Sequence, residues 1–157
     1  RWADTDHNGC DTRNDILARD LARPTFKDGT RRCVVLSGTL AEPYTGKTIE
    51  FRRGEKTSSL VQIDHVVALA DAWRSGAWQW EAGQRQEFAN DPDNLLAVDG
   101  DANEDKSASA ADRWLPPNAA FRCDYVKRQI SVESRYGLSV TRSEQDAMAQ
   151  QLSTCPG

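Results

Sequence analysis

The sequence predicts an α+β fold with a small β-hairpin or sheet, several surrounding helices and two disulfides. Three observations carry this. Short extended runs (RRCVVLSGTL, KTIEFRR, SLVQIDH, NLLAV) alternate with stretches whose apolar residues recur at helical spacing. Turn-forming sequence such as EPYTG and DPD separates them. The four cysteines, Cys10, Cys33, Cys123 and Cys155, are an even and widely spaced set with no CxxC pair, so they read as structural disulfides rather than a zinc or redox centre.

Taken in order, TRNDILARDL (12–21) reads as a short helix capped by Asp11 or Thr12, with Ile16, Leu17 and Leu21 on one face and Pro24 as its stop. Residues 31–40 and 47–53 flank EPYTG and predict a hairpin. SLVQIDH is a further extended run that ends on Asp64 and His65. The period then changes, because Val67, Ala70, Trp73 and Ala77 fall at helical spacing, and GQRQEFAN adds a second helical piece. NLLAV (94–98) is a buried strand between DPD and DGD turns. Residues 103–114 are expected to be helical, closed by Pro116 and Pro117. A longer amphipathic helix is expected over 118–136, stopped by Gly137, and Thr141 with Glu144 makes a capping box for a last helix to about Leu152.

The chain has 157 residues, no repeat and no low-complexity linker, so one domain over 1–157 is expected. Three disulfide pairings are open. Cys10–Cys33 with Cys123–Cys155 is favoured, since each ties a terminal segment to its own neighbourhood and closes a loop worth about 3 kcal/mol in the chain-entropy model. Disulfides point to an oxidising, extracellular setting. No charged-then-apolar leader opens the sequence, which therefore reads as a mature secreted form. Nothing approaches the roughly 20 apolar residues of a membrane helix, so no membrane partner is expected, and a monomer is. The net charge is −4, so a polyanionic partner has to be met by a local basic patch.

Between residues 60 and 115 an acid, an imidazole and two carboxamides fall at the junctions of a strand–strand–helix pattern: Asp64, His65, Asn94 and Asn103. A hard divalent ion takes oxygen ligands, which Asp64 and Asn103 can supply beside water. An imidazole next to that ion, and not on it, can take the proton of an attacking water.

On QIDHV (62–66), FANDP (88–92), DNLLAV (93–98), NEDKS (103–107) and CDTR (10–13), the chain resembles the HNH, or ββα-metal (His-Me finger), nucleases. Within them it is similar to the secreted DNases whose histidine motif reads H-x-x-P. The resemblance implies a ββα-metal core over about 60–115, His65 as general base, and Asp64 and Asn103 as ligands of one Mg²⁺ or Mn²⁺. It also implies that Asn94 braces the loop around the histidine. The implied substrate is DNA, with RNA a second class, cut with little sequence specificity to leave 5′-phosphate and 3′-hydroxyl ends. The proline of H-x-x-P is Ala68 here, which loosens the motif but removes no ligand. Arg13 and Lys106 are expected at non-bridging phosphate oxygens.

DTDHNGCDTRND (4–15) has nearly the spacing of a twelve-residue calcium loop, with Asp4, Asp6 and Asn8 as candidate ligands of a structural Ca²⁺, although Asp15 is shorter than the usual closing glutamate. His7 reads as a surface residue. The rival function is a non-catalytic extracellular binding module, stabilised by calcium, on a nuclease-like skeleton. Trp73, Trp78, Trp80 and Trp114 are expected to fill a core rather than to stack on bases.

Overall fold

The computed structural model describes residues 2–156. Helix α1 (Thr12–Asp20) is capped by Asp11, whose side chain accepts the Asn14 N–H, and it buries Ile16 and Leu17. It ends earlier than Pro24 suggests, because Leu21–Phe26 is strand β1, which pairs antiparallel with β2 (Val35–Ala41). Proline is tolerated there since β1 lies at the sheet edge and the ladder is irregular between Ala22 and Thr25, with Arg23 at a φ of 51°. Strand β3 (Thr48–Arg52) pairs with β2 as the expected hairpin.

Strand β4 (Val61–His65) pairs antiparallel with β5 (Leu95–Asp99) as a separate two-stranded ladder, with His65 opposite Leu95 and Asp64 opposite Leu96. Both faces of this ladder are buried, which explains the unbroken apolar run of β5. One face sends Val61, Ile63, Leu95 and Ala97 into a core shared with α1 and the three-stranded sheet. The other sends Leu96 and Val98 into a core with Tyr44, Ala102, Tyr125, Val126 and Met148. Arg19 and Asp20 pin α1 to the ladder: Arg19 donates to the Leu95 carbonyl at 2.6 Å and Asp20 accepts the Ala97 N–H at 2.9 Å.

Between the two strands lie α2 (Leu69–Arg74) and α3 (Ala82–Ala89). Helix α4 (Gly100–Lys106) follows β5 directly. It starts before the expected 103 and stops at Lys106, because the Asp99 side chain caps it and Ser107 turns away at a φ of 50°. Residues 108–114, expected to be helical, are turns and irregular chain. Gly100 is required at the start of α4, since a Cβ there would stand 2.4 Å from the Ser59 carbonyl. Helix α5 (Arg122–Tyr136) ends at Gly137 in the left-handed conformation, and α6 (Arg142–Leu152) starts in the Thr141–Glu144 capping box. The disulfides are Cys10–Cys33 and Cys123–Cys155, the favoured pairing.

Candidate active site

Successive residues of a strand point to opposite faces, so β4 sends Asp64 and His65 in different directions. His65 is half-buried on the α1 side. Its Nε2 lies 2.8 Å from the carbonyl oxygen of Ala89, the last residue of α3. The Trp2 ring stacks on the imidazole, with centroids 5.5 Å apart and 14° between the planes. A carbonyl can only accept, so this hydrogen-bond network assigns the proton to Nε2 and leaves the lone pair on Nδ1. Burial pushes the imidazole pKa below its ordinary value, against the opposing pull of the Ala89 carbonyl and Asp64, so the neutral ring persists to lower pH.

The chain leaves the strand after His65, and three successive carbonyls lie at that exit. Each is taken by a buried side chain. Lys106 Nζ donates to the His65 carbonyl at 2.8 Å, Gln129 Nε2 to that of Val66 at 3.0 Å, and Asn94 Nδ2 to that of Val67 at 3.0 Å. Asn94 Oδ1 also accepts the Val67 N–H at 2.8 Å, and the Asn94 carbonyl accepts the Val66 N–H at 2.9 Å. Buried main-chain groups without partners are costly, which accounts for polar side chains this deep in the fold.

Asp64 faces the second core. The Tyr44 hydroxyl donates to its Oδ2 at 2.5 Å, and Lys106 Nζ stands 3.1 Å from that oxygen and 3.3 Å from Oδ1. Asp64 is 6% exposed, while Tyr44 and Lys106 are 0% exposed. Burial pushes the Asp64 carboxyl up and the Lys106 ammonium down, and their mutual attraction opposes both shifts. Asn103 donates its Nδ2 to Gln62 Oε1 at 2.8 Å. Gln62 and Asp64 alternate on one strand face, so Asp64 and Asn103 share the α4 side of the ladder while the imidazole lies on the other.

This arrangement does not fit a divalent ion. The Asp64 carboxylate is enclosed together with an ammonium that would repel a cation, and Asn103 is held by Gln62. Among the described residues, no three His, Cys, Asp or Glu side chains come together as a metal cluster.

Lys106 is wholly buried and turned to Asp64 and His65, so it is not at a phosphate as the sequence suggested. Arg13 donates, at 3.4 Å each, to the carbonyls of Ser58 and Val61, at the end of β4 remote from His65. It braces the strand rather than reaching toward the imidazole. In the 4–15 loop the side chains turn on the loop itself. Asp4 accepts from the N–H groups of Asn8 and Gly9, Asp6 accepts from that of Asn8, and Asn8 Nδ2 donates to Asp15 at 2.8 Å. Tyr44, Gln129, Trp2 and Ala89 were missed from sequence, because each meets the site only through tertiary contact.

Residues 11–151 match the family model of the C-terminal domain of GmrSD restriction endonucleases. The chain belongs to that family. The GmrSD C-terminal match takes in Asp64, His65, Asn94, Asn103 and Lys106, and leaves Trp2 and the Asp4–Asn8 stretch before it. An uncharacterized secreted protein of Arthroderma benhamiae is 40% identical over 148 residues, which is 93% of this chain and 68% of that protein. No solved structure matches the chain.

Proposed function

We propose that this GmrSD-type domain is a secreted endonuclease of the HNH kind that hydrolyses phosphodiester bonds, with His65 as general base. The observation that carries the reading is the His65 Nε2–H bond to Ala89, which leaves Nδ1 as a fixed, neutral proton acceptor. The order β4, β5, α4, with Asp64-His65 closing β4 and Asn94 gripping the loop beyond it, supports the ββα assignment. Nδ1 takes a proton from water as its oxygen attacks phosphorus in line, the bond to the 3′-oxygen breaks as that oxygen takes a proton from solvent water, the imidazolium returns its proton to solvent, and 5′-phosphate and 3′-hydroxyl ends result. DNA is the first substrate class and RNA the second. Two disulfides and the secreted relative support an extracellular setting. Mg²⁺ and Mn²⁺ enter only as arms of the assay below; no step here is routed through an ion, since Asp64 and Asn103 do not form an open site for one.

Supercoiled plasmid incubated with Mg²⁺, Mn²⁺ or chelator, beside His65→Ala, tests the proposal. The wild type is expected to nick and the variant to lose about 100-fold or more. The active form is the neutral imidazole, so the rate should rise with pH and level off, with a midpoint below about 6.5 because burial lowers the His65 pKa. Equal nicking by both proteins, or none by either, overturns the reading.

A further inference from the structure

The tryptophans expected to fill a core divide into two kinds. Trp80 packs against the cluster around Phe88, and Trp114 against the one around Tyr44. Trp73 and Trp78 are instead 51% and 55% exposed, and Leu69 is 47% exposed. Leu69 and Trp73 wall a groove of about 310 Å³ between α2 and α3, with Trp80 and Phe88 inside it and Arg85 and Ala89 along its other side. Both walls run to the proposed base. Helix α2 starts immediately beyond the held 65–67 segment, and α3 ends on Ala89, whose carbonyl accepts the His65 Nε2–H.

The chemistry of the lining is selective. Arg85 is the one charged residue along the groove, and it is a cation in a chain of net charge −4. Its guanidinium stands over one face of the Trp73 ring, 5.4 Å from the centroid, and is anchored by the Trp80 carbonyl. A half-exposed aromatic ring with a fixed guanidinium over one face suits a base stacked on the other with its phosphate near the cation, since stacking supplies the affinity and is indifferent to base identity. The volume lies at the low end of small-ligand sites, which run from about 300 to 1,000 Å³, and suits one planar ring rather than a partner's helix.

We infer that this groove is a nucleobase subsite, in which an unpaired base flanking the scissile phosphate stacks on Trp73, so that single-stranded or locally unpaired nucleic acid is the preferred substrate. Bases in an intact duplex are not available to it without unstacking. The inference rests on the phosphodiesterase reading, and its test is a binding measurement that needs no turnover.

In a His65→Ala background, with chelator present, fluorescence anisotropy is read for three labelled probes: oligothymidylate, the same backbone carrying abasic sugars, and a duplex of equal length. The single strand is expected to bind about tenfold more tightly than the abasic strand or the duplex. Adding Trp73→Ala should weaken single-strand binding about tenfold and leave the abasic strand unchanged, and Trp73→Phe should restore part of the loss. Equal binding of the three probes, no binding of any, or a Trp73→Ala loss shared by the abasic strand overturns the inference. So does a concentration-dependent doubling of mass that Trp73→Ala abolishes, which would give the groove to a second copy of the chain. If plasmid nicking persists while base selectivity is absent, only this inference falls; if selectivity holds while nicking is absent, only the endonuclease reading does.

Discussion

Replacing Lys106 with methionine keeps a similar volume and removes the cation that, among the described residues, pairs with the Asp64 carboxylate. That carboxylate is 6% exposed and would keep, among the described residues, a single donor, the Tyr44 hydroxyl. Breaking one side of a buried pair costs about 3–5 kcal/mol, because the remaining charge is stranded. The His65 carbonyl also loses its donor, which adds about 1–3 kcal/mol. Asp64→Asn strands the ammonium instead, but leaves its bond to that carbonyl, so a loss of about 3 kcal/mol is expected. The double variant carries neither buried charge and should lose only about 1–3 kcal/mol, well below the sum of the single losses. Urea unfolding at pH 7, followed by tryptophan fluorescence, measures all four proteins on one scale. The reasoning is refuted if Asp64→Asn costs less than about 1 kcal/mol and its effect adds to that of Lys106→Met. A thermal stabilisation by Mg²⁺ that Asp64→Asn abolishes would also refute it, by showing the carboxylate open to an ion.

Two further outcomes follow from buried polar groups. Glu133 is 8% exposed, its Oε1 has no hydrogen-bond partner among the described residues, and burial followed by the negative charges of Asp71 and Glu144 raises its pKa from 4.5 to about 8. The folded state therefore keeps a proton that the unfolded chain has released, and stability should fall as pH rises across that window. Each unit carries at most about 1.4 kcal/mol, and partial solvent access reduces the whole effect to about 2 kcal/mol. Glu133→Gln should flatten the profile of melting temperature against pH and exceed wild type at pH 8; parallel profiles would contradict this. Asn94→Ala deletes both side-chain bonds to Val67 and should cost about 2–4 kcal/mol. It should lower kcat more than it raises KM, and an unchanged kcat in the folded variant would remove Asn94 from the positioning of His65.

Local chemistry made much of this fold legible. The hairpin around EPYTG, the Thr141–Glu144 box and the Gly137 stop are written in a few adjacent residues, and the disulfide pairing follows from the nearness of each cysteine to its partner along the chain. What escaped is what depends on distant partners. Lys106 looks like a surface lysine until Asp64, 42 positions away, is placed beside it. Helical spacing is the same for a tryptophan in a core and for one lining a groove, so Trp73 and Trp80 could not be told apart. Strand β1 was hidden because proline more often marks an end than an edge strand. Asp64 and His65 suggested one shared site because they are neighbours in sequence, yet adjacency within a strand is what sends their side chains apart.

The three carbonyl clamps behind His65 come from α4, from α5 and from the turn that enters β5. They hold the main chain that carries His65, while Ala89 and Trp2 hold the ring itself. These partners lie 41, 63 and 27 positions from the residues they hold, so the geometry behind His65 depends on the interior being assembled. For the endonuclease proposed above, that dependence ties competence to an intact fold, and any event that loosens the interior withdraws it.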